Sequence, residues 1–155
     1  MVSLGTRDRL SMLYIDVVRG SGAVTLSLDM GARIQIATSA MGRAYITAVS
    51  ETERIEIMER VRELAPNDRW PELKQGIEQA MRDIHALGVC CSFGEWQKDV
   101  NAIAVPVRPG GGLPPMSINC GAPAYMVSKD FLLEKVRPRL IALANELETS
   151  LGTLS

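Results

Sequence analysis

Hydrophobic and polar residues alternate over residues 10–18, where Leu13, Ile15 and Val17 share one face and Tyr14 lies on the other. A period of two predicts a β-strand. Short runs of the same kind predict five further strands, at residues 24–28, 33–37, 89–93, 102–107 and 116–120. Glycine- and proline-rich turns at residues 19–22 and 108–115 predict hairpins between the strands on either side of them.

Four other stretches carry apolar residues every three or four positions, which predicts amphipathic helices. Each begins near a residue typical of helix starts, a serine that caps the free amides or a proline in the first turn. The four helices are expected at residues 39–49, from Ser50 to the Pro66 region, from Pro71 to Gly88, and from about Ser128 onward with a kink or restart at Pro138.

The predicted order is three strands, three helices, three strands and one helix. This order favours an α+β fold in which helices pack on a mainly antiparallel sheet. Only one connection between strands is helical, which disfavours a doubly wound nucleotide-binding fold. No linker or internal repeat is evident, so residues 1–155 are expected to form a single domain.

Composition supports a soluble globular protein, because 46% of the 155 residues are hydrophobic and 23% are charged. The formal net charge is -1, and no basic block stands out. A nucleic-acid surface on this chain is therefore disfavoured, since phosphate contacts need a concentrated basic face. The chain shows neither a signal peptide nor an apolar run long enough to span a bilayer. We expect a cytoplasmic protein with no membrane partner.

Catalytic side chains are scarce. His85 is the single histidine and falls within a helical pattern, and the three cysteines at positions 90, 91 and 120 are expected to be reduced and buried. We therefore expect no enzyme activity, no metal site and no cofactor. The glycines at 110–112 lie between two predicted strands, so they indicate a hairpin loop and not a phosphate-binding loop. Residues 95–99 fit either a lid or a solvated loop with Trp96 folded onto the core.

Small residues fill the junction between the third strand and the first helix, at residues 38–42. Free N–H groups at a helix start favour a carboxylate, although most junctions of this type have some of this character. Ser117 and Asn119 share one face of the sixth strand and must face either solvent or a pocket.

Three segments resemble characteristic segments of the IclR family of transcriptional regulators. Residues 31–44 read Gly-Ala-Arg-Ile-Gln-Ile-Ala-Thr-Ser-Ala-Met-Gly-Arg-Ala, which is similar to the family's Gly-x-Arg-Leu-Pro-Leu-His-Ala-Thr-Ala-Leu-Gly-Lys-Ala. Residues 101–107 and 116–123 resemble two of its strands. The order and spacing agree from about Leu10 to Leu151, which matches only the C-terminal effector-binding domain of that family.

The resemblance implies a six-stranded sheet flanked by helices, akin to GAF and profilin-like sensors. It also implies a DNA-binding domain absent from this chain, a homo-oligomer (dimer or tetramer), and contact with DNA only through that missing domain. The effector pocket would lie between the sheet and the start of the first helix. Carried over position by position, its ligand-binding residues are Ser39, Ala40, Met41, Gly42, Ser92, Ala102, Ser117 and Asn119.

Three positions depart from the family pattern and reduce the polarity of the pocket. Ala37 stands where a histidine is common, Ser92 where an acid is common, and Ala102 where a cysteine is common. We therefore expect an effector with more apolar or aromatic bulk than glyoxylate or pyruvate, such as a small organic acid or an aromatic metabolite. The alternative is a ligand-independent assembly module with a vestigial pocket.

Overall fold

Six strands form one antiparallel sheet in the computed structural model, which describes residues 1–20 and 28–152. The strands are β1 Val2–Asp8, β2 Ser11–Val18, β3 Arg33–Gln35, β4 Cys90–Phe93, β5 Val100–Val107 and β6 Met116–Pro123. They are ordered β3-β2-β1-β6-β5-β4, and every neighbouring pair is antiparallel. The predicted α+β class and six-stranded antiparallel sheet are confirmed.

The helices begin and end where local signals predict. They are α1 Ala40–Ala48, α2 Glu51–Leu64, α3 Trp70–Leu87 after a 3-10 turn at Asn67–Arg69, and a C-terminal segment made of α4 Lys129–Phe131, a π turn at Leu132–Val136 and α5 Arg137–Gly152. The side chains of Ser39, Ser50 and Ser128 each accept a backbone N–H three residues on, as N-caps do. Gly88 ends α3 in the left-handed region, at φ 78°.

The C-terminal helix changes its winding next to Pro138. A proline has no N–H to donate and its ring crowds the carbonyl of the preceding turn. The wider π turn lies immediately before it, closed by the hydrogen bond from the N–H of Arg137 to the carbonyl of Leu132. The disturbance expected at Pro138 is therefore present, one turn earlier in the chain.

Strand β1 was not predicted, yet it lies in the middle of the sheet between β2 and β6. The predicted strand at residues 24–28 lies outside the described residues except for its last position. The third strand is shorter than expected and ends at Gln35, whereas β5 begins at Val100 and β6 continues to Pro123. Strands β5 and β6 pair directly, and Gly110, Gly111 and Gly112 in the loop between them have positive φ. The hairpin predicted around residues 108–115 is therefore confirmed.

Each face of the sheet carries its own hydrophobic core. Small side chains on one face, including Ala102 and Ala104, pack against Ala40 and Ala44 of α1. Large aliphatic side chains on the opposite face pack against Leu132 and Leu140 of the C-terminal segment, and they are Ile103, Val105, Val107 and Ile118. Alanines let α1 approach closely on its side, which sets the depth of the space left there.

Candidate ligand-binding cavity

Polar residues from three strands lie together on the face that α1 covers. Ser3 of β1 pairs with Asn119 of β6, which pairs in turn with Ala104 of β5. Ala102, two residues earlier on β5, pairs with Ser92 of β4. Cross-strand partners share a face, so Ser3, Asn119 and Ser92 all point toward the side of the sheet that α1 occupies.

A small cavity lies between these strands and the beginning of α1. It is lined by Tyr14, Ile34, Ser39, Ala40, Ser92, Trp96, Val100, Ala102, Asn119 and Gly121. The free volume inside is about 10 Å³, which is room for about one water molecule. A larger ligand therefore requires lining side chains to move outward.

Backbone donors are available where α1 begins. Ser39 Oγ donates to the carbonyl of Gln35 at 2.6 Å and accepts from the N–H of Gly42 at 3.1 Å. In the described part of the chain, the N–H groups of Ala40 and Met41, which lie in the first turn of α1, have no acceptor. The free amide of Ala40, at the positive end of the α1 dipole, therefore belongs to a residue that lines the cavity, and the free amide of Met41 follows it in the helix.

Asn119 provides an acceptor on the opposite wall. Among the residues that the structure describes, its buried Oδ1 has no hydrogen-bond partner, and the same is true of the buried hydroxyls of Ser3 and Ser117. Burial raises the pKa of the Tyr14 hydroxyl, an effect only partly offset by the nearby Asn119 and Ser3 side chains, so Tyr14 is neutral. None of the lining residues carries a charge. The cavity can therefore hold polar groups through neutral donors and acceptors.

The junction before α1 is tied to β4 and to the loop that follows it. Ser92 Oγ donates to the carbonyl of Thr38 at 2.7 Å, so this hydroxyl already has an acceptor. The buried Arg43 donates from Nε to the carbonyl of Ala37 and from Nη1 to Glu95, at 3.0 and 2.9 Å. These contacts fix the position of the free α1 amides relative to the sheet.

Five of the eight sequence-predicted site residues line the cavity, namely Ser39, Ala40, Ser92, Ala102 and Asn119. Met41, Gly42 and Ser117 lie beside it and are fully or almost fully buried. Met41 packs against Gly5, and Gly42 lies against the backbone of Ile36.

Tyr14, Ile34, Trp96, Val100 and Gly121 also line the cavity and were not singled out as ligand contacts. Trp96 is half-buried and packs on the core, as one of its two interpretations required. Strand alternation placed Tyr14 on the face opposite Leu13, Ile15 and Val17, but nothing in the sequence showed that this face borders a cavity.

Two larger hollows open to solvent elsewhere. One of about 250 Å³ lies between the end of α2 and the start of α3, with Leu10, Val61 and Leu73 in its walls. The other, of about 340 Å³, lies between α3 and β4 beside Arg43, Asp83 and Cys91. None of the buried side-chain atoms that lack a partner belongs to a residue of either hollow, so polar chemistry singles out the smaller cavity.

The thiols of the three cysteines are not poised for nucleophilic attack. Burial raises the pKa of Cys91 to about 12 and raises those of Cys90 and Cys120 above their ordinary range. His85 is exposed on α3. Among residues 1–20 and 28–152, no group of three or more His, Cys, Asp or Glu side chains could hold a metal ion.

An antiparallel sheet with helices packed on it, and a small polar cavity beneath α1, defines an α+β domain. A family model described as the bacterial transcriptional regulator IclR C-terminal region matches residues 1–149. The chain therefore belongs to the IclR family of transcriptional regulators, as the resemblance predicted.

Known proteins agree with this assignment. The crystal structure of an IclR-family transcriptional regulator from Brucella abortus is 37% identical, with a TM-score of 0.87 over 96% of this chain and 55% of that one. The HTH-type transcriptional regulator TsaQ1/TsaQ2 of Comamonas testosteroni is 24% identical over 97% of this chain and 54% of its own length.

The inducer-binding domain of the Acinetobacter transcription factor PobR, solved as a double mutant with 3-hydroxybenzoic acid, has the same fold. Its identity to this chain is 23% and its TM-score is 0.72, over 95% of this chain and 86% of that one. The chain spans about half the length of the curated relatives that it matches. In the part of the chain that the structure describes, no helix is long and apolar enough to cross a membrane.

Proposed function

We propose that this domain binds a small organic acid or an aromatic metabolite in the cavity beneath α1 and passes the binding signal to the DNA-binding domain of an IclR-type regulator. The observation that carries the proposal is that the cavity is lined both by Ala40, whose amide is free at the start of α1, and by Asn119, whose Oδ1 is buried without a partner. Amides at a helix start favour a carboxylate. The PobR domain with bound 3-hydroxybenzoic acid supports an acidic aromatic ligand for this fold.

Binding requires the cavity to open, because its present volume admits about one water molecule. Trp96 is the largest lining side chain and lies in the loop between β4 and β5, where Glu95 is bound to Arg43. Movement of this loop would enlarge the cavity without breaking the sheet. The sequence has two tryptophans, Trp70 and Trp96, so a Trp70→Phe variant leaves Trp96 as the single tryptophan. The fluorescence of Trp96 should then change when a ligand enters.

A thermal-shift screen of the chain against keto acids, sugar acids and aromatic acids tests the proposal. A ligand that binds only the folded state raises the Tm in a dose-dependent way. Ala102→Val adds bulk to a cavity wall and should abolish the shift, whereas Val105→Ile adds bulk to the opposite face of β5 and should preserve it. Equal shifts in both variants would place the ligand elsewhere.

The small volume of the cavity also favours the alternative, an assembly module whose pocket is vestigial. Under that alternative no acid changes the Tm, and the chain forms oligomers without ligand. We propose a dimer or tetramer under either function, supported by the exposed apolar side chains of Tyr125, Met126 and Phe131 in one short segment. Light scattering measures the oligomer directly, and Phe131→Glu should weaken it if this segment is the interface.

The signal would reach DNA as a change in the arrangement of the subunits, since a ligand shifts the equilibrium between two arrangements only if it binds one of them better. The test is an operator-binding titration of the full-length regulator with and without the acid found in the screen. No change in operator affinity would contradict this part of the proposal. A cytoplasmic location accords with a DNA-bound regulator.

A further inference from the structure

The hollow between α3 and β4 has room for a small molecule without any movement of the chain. Its volume of about 340 Å³ lies within the roughly 300–1,000 Å³ that small-molecule sites have, whereas the cavity beneath α1 has about 10 Å³. The two spaces share no lining residue. A ligand can therefore enter the hollow without the opening that the cavity beneath α1 requires.

Arg43 presents an unused hydrogen-bond donor to this hollow. Its side chain is only 4% exposed, and its Nε donates to the carbonyl of Ala37 at 3.0 Å. Its Nη1 donates to the carbonyl of Cys91 and to Glu95, at 3.2 and 2.9 Å. Among the described residues, Nη2 has no acceptor, yet it is not one of the fully buried atoms that lack a partner. A Cβ at Gly76 would collide with Nη2, so the glycine keeps this nitrogen uncovered on the α3 side of the hollow.

Two carboxylates line the same hollow. Asp83 accepts from Gln79 Nε2 at 2.9 Å and forms no salt bridge with a described residue. Burial, and after it the charges of Asp83 and Glu95, raises the pKa of the Cys91 thiol to about 12. The charge of Arg43 opposes that rise, so all three charges act on one sulfur atom in the wall. Because two carboxylates face one guanidinium, the hollow disfavours a simple anion.

Apolar side chains form the rest of the wall, and they are Ala80, Leu87, Phe93 and Leu133. A ligand that covers them with an apolar group removes their surface from water, which favours binding. The hollow therefore combines a carboxylate that lacks a cation, a guanidinium N–H that lacks an acceptor, and an apolar surface.

We propose that this hollow is a second ligand site, which binds a zwitterionic amino acid with an apolar side chain. The ammonium group binds Asp83, the carboxylate binds Nη2 of Arg43, and the side chain covers the apolar wall. Hydrogen bonds between charged partners are stronger than neutral ones, and a zwitterion makes one at each end. Since the zwitterion has no net charge, the excess of carboxylates in the hollow does not repel it.

Titration of the isotope-labelled chain with L-leucine and with L-phenylalanine tests the site. Dissociation constants are taken from the NMR shifts of the Gly76 and Leu87 amides, because these residues line the hollow and not the cavity beneath α1. At least one of the two amino acids should bind, and removal of either charged group should weaken its binding about tenfold or more. The matched compounds are 3-methylbutylamine and 4-methylpentanoate for leucine, and phenethylamine and 3-phenylpropanoate for phenylalanine.

An Asp83→Asn variant assigns the ammonium group to this carboxylate. The advantage of the amino acid over the acid without the amine should fall below about threefold, while its advantage over the amine without the carboxylate is retained. Asp68→Asn is the matched control, because it removes the same charge from an exposed residue outside the hollow and should leave both advantages unchanged. Circular dichroism checks that both variants fold.

Three results would overturn the proposal. Neither amino acid shifts the Gly76 and Leu87 amides, or the shifts centre on Ala40 and Asn119, which would place the amino acid beneath α1. In the third, the advantage over the acid persists in Asp83→Asn. The binding of acids in the cavity beneath α1 is a separate question, because the two spaces share no lining residue.

Discussion

Replacing Gly42 by alanine should lower the stability of the domain, although alanine is the better helix former. Gly42 is the third residue of α1, and a Cβ built on it would contact the carbonyl oxygen and Cα of Ile36 and lie 2.6 Å from its carbonyl carbon. Ordinary carbon contacts lie at about 3.5–4.0 Å, so the two backbones would have to separate by about 1 Å.

That separation is opposed on both sides of the contact. The N–H of Ile36 is bonded to the carbonyl of Leu10, and Ala37 and Thr38 accept from Arg43 and Ser92. Overpacking costs about 1–3 kcal/mol, and the upper end applies where backbone meets backbone. Alanine recovers about 1 kcal/mol of helix propensity. The expected net loss is about 2 kcal/mol, which lowers the Tm by about 4–8 °C in a domain of this size.

Thermal and urea unfolding of the unaltered chain, Gly42→Ala and Gly20→Ala measure this effect. No atom of the described residues lies within 4 Å of the Cβ position of Gly20, so its alanine variant should differ by less than about 0.5 kcal/mol. A Gly42→Ala variant that melts at or above the temperature of the unaltered chain would refute the close backbone approach.

Three further predictions concern charge and protonation. Arg43→Met removes the donors that bind the buried carbonyls of Ala37 and Cys91, so it should lower the free energy of unfolding in urea by about 2–3 kcal/mol. Glu95→Gln should lower it by less than about 1 kcal/mol, because the Glu95 side chain is 47% exposed. Equal losses in the two variants would contradict this difference. Burial raises the pKa values of Cys91 and Tyr45 to about 12, so both stay protonated in the folded chain while the unfolded chain loses these protons from about pH 9 upward. The free energy of unfolding should therefore keep its full value below about pH 9 and fall as the pH rises toward 12. The fall should be less steep in Cys91→Ala. A free energy of unfolding that stays constant from pH 8 to 11 would show that these groups titrate alike in the folded and unfolded states. Asn119→Asp adds a negative charge to a cavity with no charged lining residue, so it should weaken the binding of every carboxylate, as measured by calorimetry. Unchanged affinity would mean that the acid binds away from this wall.

Helix boundaries could be predicted closely because their signals are local. Ser39, Ser50 and Ser128 cap helices through side chains that reach only three residues along the chain, and Gly88 ends α3 by its own backbone conformation. Such signals do not depend on the rest of the fold.

The central strand β1 escaped prediction for a physical reason. Its inward face carries Ser3 and Gly5, so the strand lacks the two apolar faces expected at the centre of a sheet. Ser3 is inside because Asn119 and Tyr14 provide polar surroundings, and Gly5 because Met41 fills the space where a side chain would be. Both reasons are long-range contacts that the local pattern cannot show.

Only part of the candidate site could be predicted, because the remaining part also depends on long-range packing. Positions 39, 40, 92, 102 and 119 came from the family resemblance, which records where a pocket lies in this fold. Tyr14 reaches the cavity from β2, and Trp96 reaches it from the loop between β4 and β5. Which loop residue turns inward depends on packing against the completed core, so sequence alone left two interpretations of Trp96 open.

We propose that an acid binds between the start of α1 and Asn119. The most direct measurement is a titration of the isotope-labelled chain with 3-hydroxybenzoate, followed by the NMR shifts of backbone and side-chain amides. The largest changes should occur at the N–H groups of Ala40 and Met41 and at the Asn119 carboxamide. Changes centred on Leu10 and Leu73 at the larger hollow, or none at saturating acid, would contradict it.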